Sequence, residues 1–176
     1  MASVTARTAN WRLFGGSALV IGGLLWLAFQ LIGNQLWVLT LAYVVLAAGL
    51  VILAFGQSGG NGAVGKNVLG KVALVVYAAG WALLGLATIV ALPAGAAVLA
   101  GLFIIGGGLV SAWAVYKERV AKGAARWILF LPAGVGAIWA LQLLGLAFGF
   151  PLLGSLVAVL FIVAGVLYLL NDRKLG

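Results

Sequence analysis

The sequence has 176 residues, 66% hydrophobic and 7% charged, with a mean hydropathy of +1.29 and a formal net charge of +8. Soluble domains are about half apolar and about a quarter charged, so this composition excludes a soluble globular fold and makes lipid the solvent for most of the chain. Cys and His are both missing and the only carboxylate side chains are Glu118 and Asp172, which excludes disulfides, thiolate chemistry, the usual neutral-pH proton shuttle and the commonest metal ligand.

Residues 1–10 are small and polar, carry Arg7, and read as a short tail rather than a cleavable signal, because the apolar stretch that follows is too long for a signal h-region. Six apolar spans are expected from there on, at 11–32, 36–55, 72–92, 95–116, 127–148 and 152–170. Each approaches the roughly 20 residues that cross a hydrocarbon core as a helix. Backbone groups cannot stay unpaired in lipid, and the spans lack the strict alternation of barrel strands. The expected fold class is therefore an all-α integral membrane protein, a single transmembrane domain over 1–176. Tight turns join spans one and two at Gly33-Asn34-Gln35, three and four at Pro93, and five and six at Gly149-Phe150-Pro151. The stretch 56–70, rich in Gly and Asn, is expected to be a mobile loop. Pro132, one turn into the fifth span, should kink that helix or shape its first turn.

Charge placement sets the expected orientation. Arg7 and Arg12 precede the first span, Lys66 and Lys71 join the second to the third, Lys117, Arg119, Lys122 and Arg126 join the fourth to the fifth, and Arg173 and Lys174 follow the sixth. Every basic residue thus falls on one side, and the three tight turns carry no charge. The positive-inside rule puts both termini and the two basic connections in the cytoplasm of a plasma (inner) membrane protein. The same charge is read as contact with membrane lipids and their anionic head groups; nucleic acid or an acidic partner, for which 117–126 is the only candidate cluster, is set aside because basic residues flanking spans are expected from insertion alone.

An internal repeat is visible. Ala48-Gly49-Leu50, Gly107-Gly108-Leu109 and Ala164-Gly165-Val166 recur at an interval of roughly sixty residues, and each copy follows a segment carrying one deep Trp: Trp26, Trp81 or Trp139. The repeat divides the chain into three tandem helical hairpins at approximately 11–56, 71–117 and 126–171, giving a pseudo-threefold bundle. Gly49, Gly108 and Gly165 are the candidate packing residues, expected to let each second helix approach its hairpin partner, with a dimer face as the alternative. Further small-xxx-small pairs include Ala18 with Gly22 and Gly145 with Gly149. Trp11, Trp37, Trp113 and Trp127 fall near span ends and read as aromatic-belt anchors.

Chemistry is sparse. No ionisable residue lies in the middle of a span, which disfavours proton-coupled export through a membrane carboxylate and retinal binding through a mid-span Lys. Glu118 beside Lys117 and Arg119, and Asp172 beside Arg173, read as solvated charge pairs. No catalytic, cofactor-binding or metal residue is assigned, and no cofactor is expected. Trp26, Gln30, Trp81, Trp139 and Gln142 are the candidates for lining a small cavity, since Gln30 and Gln142 each follow the Trp of their repeat by about one turn.

The hairpin pattern resembles the HdeD-like family of small six-helix bacterial membrane proteins. The matching stretches are Gly22-Gly23-Leu24-Leu25 with Ala48-Gly49-Leu50, then Ala78 to Leu84 with Pro93 and Gly107-Gly108-Leu109, then Ala133 to Trp139 with Pro151 and Ala164-Gly165-Val166. The first turn lacks the family's Pro. The resemblance implies an envelope role associated with acid stress and transfers no catalytic residue. The leading expectation is a non-enzymatic membrane protein with a structural, envelope-stress or partner-binding role, its partner a second copy or another membrane protein. A small channel or carrier for a neutral or hydrophobic solute, and an accessory subunit of a larger membrane complex, are the alternatives.

Overall fold

The computed structural model describes residues 2–33, 35–56, 61–146, 150 and 152–170, with backbone alone for 2–10 and Ala94. Among these residues all regular structure is helical: α1 (Ala2–Ile32), α2 (Leu36–Phe55), α3 (Val68–Ala87), α4 (Ala94–Glu118), a 3-10 turn (Gly123–Arg126), α5 (Phe130–Leu143) and α6 (Leu153–Leu170). Six segments are long and apolar enough to cross a membrane, the fifth being the 3-10 turn and α5 together over Gly123–Leu143. Large apolar side chains such as Leu31, Leu102 and Leu152 stay exposed around the bundle, a surface that suits lipid and not water.

Helix ends are set by local chemistry that hydropathy does not register. α3 begins at Val68, ahead of the expected 72, because Asn67 caps it: the Asn67 Oδ1 accepts from the Gly70 N–H at 3.0 Å. It stops at Ala87, short of the expected 92, where the Thr88 hydroxyl donates back to the Gly85 carbonyl at 2.7 Å. α5 stops at Leu143 because Gly145 adopts φ +72° and closes a Schellman cap, with Leu146 N–H on the Leu141 carbonyl at 2.9 Å and Gly145 N–H on the Gln142 carbonyl at 3.0 Å. Gly145 therefore lies outside the helix and takes no part in an in-helix GxxxG; Gly149 lies outside the described residues. Pro132 occupies the first turn of α5, where its missing N–H leaves no helical bond unmade, so it shapes the helix start.

Each helix packs against its neighbours in the chain, and α6 returns to α1, so the six form a closed ring in which the α5–α6 contact is the least extensive. Glycine makes the close contacts. α1 carries two Gly-Gly pairs one heptad apart, and the members of each pair face different partners. A Cβ on Gly22 would sit 3.1 Å from the Ala42 carbonyl oxygen of α2, whereas one on Gly16 would sit 2.8 Å from the Gly165 oxygen of α6 and one on Gly23 2.7 Å from the Ala158 oxygen. Backbones this close leave no room for a side chain.

The expected packing glycines thus find different partners. Gly49 meets Ala18 and Gly15 of its hairpin partner α1. Gly165 meets Gly16 and Val20 of α1, not its hairpin partner α5. In the middle hairpin Gly107 makes the backbone contact with α3, where an added Cβ would sit 2.5 Å from Tyr77 N, while Gly108 lies beside the Tyr77 ring and Ala133 of α5.

The connection expected to be mobile is folded over 61–67. Ala63 and Val64 are fully buried, Ala63 N–H bonds the Leu53 carbonyl at 2.7 Å, and Gly62 sits against the end of α2. Ala121 and Ala125 from the connection after α4 are buried at the same end. The small residues Gly62 and Ala63 let this segment tuck against the end of α2 and satisfy the Leu53 carbonyl there.

Candidate functional site

The centre of the ring is aromatic. Trp26 of α1, Trp81 of α3 and Trp139 of α5 come together, with ring centroids 5.3 Å apart for Trp26–Trp81, 5.2 Å for Trp26–Trp139 and 5.6 Å for Trp81–Trp139. The last pair is stacked, at 17° between planes, and Trp26 stands edge-on to both. Tyr43 of α2 lies 5.1 Å from Trp26, and Phe161 of α6 lies 5.5 Å from Trp81 and 6.2 Å from Tyr77. Offset and edge-on rings of this kind attract through their quadrupoles as well as by packing. Gly108 leaves space on α4 for the Tyr77 ring, whose hydroxyl donates to the Pro132 carbonyl of α5 at 3.4 Å. The three candidate Trp residues are therefore each other's neighbours, and the two Gln residues do different things. Gln142 accepts the Phe150 N–H at 3.3 Å in the last connection. Gln30 is exposed at the same end, its Nε2 beside Gly154, as is the Trp139 Nε1. The Thr40 and Thr88 hydroxyls bond to each other there and tie α2 to the end of α3.

The opposite end collects the charge. Arg12, Lys71, Lys117 and Arg126 each lie over an aromatic ring, those of Trp11, Phe55, Trp113 and Tyr116, at 5.4, 5.8, 4.8 and 4.1 Å. Long basic side chains at span ends reach toward water this way while their stems stay on apolar surface. Trp37, Trp113 and Trp127 are 61%, 46% and 55% exposed, as anchors in an interface would be, but Trp11 is buried against Tyr168 with centroids 5.9 Å apart. Glu118 also bonds across elements: its Oε1 accepts from Asn67 Nδ2 at 2.8 Å, joining the end of α4 to the cap of α3. Asp172 lies outside the described residues.

No family model, curated protein or solved structure matches the chain. The arrangement itself therefore carries the reading: an aromatic centre, a polar uncharged end and a basic end.

The basic end also carries a groove that neither hydropathy nor charge order announces. Between the 3-10 turn, the start of α5 and Leu167 of α6 runs an apolar groove of about 370 Å³, lined by Ala124, Trp127, Ile128, Phe130, Leu131 and Leu167. Arg126 precedes the lining residue Trp127, its Nε donating to the Tyr116 carbonyl at 2.6 Å and its guanidinium stacked on the Tyr116 ring, whose centroid lies 4.1 Å from that of Trp127. Residues ten apart across a helix break share no local periodicity, so no pattern in the chain announces this contact. The Asn67 cap was readable, since Asn before an apolar run is a helix-start signal.

Proposed function

We propose that this chain is a non-enzymatic protein of the bacterial inner membrane with a structural or partner-binding role in envelope stress, its termini and basic connections on the cytoplasmic side. The observation that supports this most is the central cluster of Trp26, Trp81 and Trp139, whose rings pack against one another between helices α1, α3 and α5, where a solute path would have to pass. The residue inventory agrees with it. Glu118, one of two carboxylates in the chain, is held by Asn67 in a contact between helix ends, and neither His nor Cys is present to take up acid–base or nucleophilic work. The resemblance to HdeD-like proteins points in the same direction.

Flux in proteoliposomes tests it. Vesicles carrying the protein are expected to shrink and reswell with glycerol or urea no faster than empty ones in a stopped-flow experiment. Faster solute entry that Gln142→Leu abolishes would overturn the proposal in favour of a small channel.

A further inference from the structure

We propose that the groove between α5 and α6 holds one acyl chain of an anionic phospholipid whose phosphate is taken by Arg126. Three observations lead there. The groove opens where the ring is least tightly closed, and all six lining residues present apolar surface to a ligand of about 370 Å³, which suits hydrocarbon and no polar solute. It lies at the end of the bundle where Lys117, Arg119, Lys122 and Arg126 are concentrated, so an occupant entering from lipid meets positive charge at the level of its head group. Finally, the Arg126 side chain is already ordered: its Nε is fixed on the Tyr116 carbonyl and its plane rests on the Tyr116 ring.

The last point separates a site from a generally basic surface. A guanidinium used at Nε still has its Nη groups, in a planar fork that matches two phosphate oxygens. Holding that fork in advance removes part of the ordering cost that a flexible Lys would carry. Trp127, 55% exposed, lies next to Arg126 in the chain and lines the groove, spanning from hydrocarbon to head group as interfacial Trp residues do. This inference holds whether or not the bundle moves a solute, so its failure and that of the proposed function are separate results.

Native mass spectrometry of the full chain in mild detergent, with equal amounts of phosphatidylglycerol and phosphatidylcholine of the same acyl chains, tests it. One phosphatidylglycerol is expected to be retained in preference. Arg126→Gln should lower that retention about tenfold, the effect of losing one charge-assisted contact, and leave phosphatidylcholine retention unchanged. Ala124→Trp should fill the groove and reduce retention of both lipids. Ala124 is exposed, so this variant keeps the test valid even where Arg126→Gln weakens the bundle through its Tyr116 contact. Equal retention of the two lipids by the unaltered chain, or unchanged phosphatidylglycerol retention in Ala124→Trp, would overturn the proposal. A dimer that Ala124→Trp converts to monomer would overturn it too, by assigning the groove to a second copy.

Discussion

At the scale of single residues, the strongest determinant of this fold is where a side chain is missing. A Cβ on Gly165 would sit 2.5 Å from the Gly16 oxygen, while one on Gly106 would meet nothing within 4 Å. Gly165→Val is therefore expected to destabilise the bundle by about 3 kcal/mol through overpacking of the α1–α6 contact. Gly106→Ala should stabilise it by roughly 0.5–1 kcal/mol, because Ala loses less backbone entropy in a helix. Unfolding by SDS titration, followed by Trp fluorescence, measures both. Equal effects would show that close backbone approach does not hold α6 in place. The repeat marks Gly165 as a packing position and passes over Gly106, but it does not say which helix Gly165 meets, because that is decided by the helix opposite.

Among the elements, the one furthest from expectation is the connection between α2 and α3. Its Gly and Asn content reads as mobility, yet 61–67 is anchored at both ends, by Ala63 on the Leu53 carbonyl and by Asn67 on Gly70 and Glu118. Asn67→Ala removes the cap of α3 and the bond to Glu118 together, and should cost about 1 to 2 kcal/mol. Faster amide hydrogen exchange confined to 61–71 is the expected signature. Glu118→Gln keeps a carbonyl oxygen for Asn67 Nδ2 and should leave exchange there nearly unchanged. Similar exchange in Asn67→Ala and the unaltered chain would mean that burial of Ala63 and Val64 alone holds the connection.

For the whole molecule, the governing asymmetry is between a basic end closed by folded connections and an uncharged end whose polar groups bond among themselves. The chain has no Cys, which makes single-Cys labelling clean. Gln35→Cys is expected to react with a membrane-impermeant maleimide in intact cells, and Lys66→Cys only after permeabilisation, both sites being exposed. The reverse pattern would invert the orientation and place the proposed lipid site in the outer leaflet. The aromatic centre has a separate cause. In lipid there is no hydrophobic drive to bring helices together, so contact area and ring geometry have to supply the association.

What the sequence determined by itself is the number of spans, their helical nature, the gathering of charge at one end and the recurrence of one Trp in each first helix. These follow from hydropathy, charge order and the impossibility of unpaired backbone in lipid, all of which are local to the chain. Only the tertiary structure decided that Trp26, Trp81 and Trp139 meet, that Gly165 serves α1 and not α5, and that Arg126 is stacked beside an apolar groove. Each of those is a contact between separate elements, and helices surrounded by uniformly apolar solvent carry little in their hydropathy to say which neighbour each face will choose.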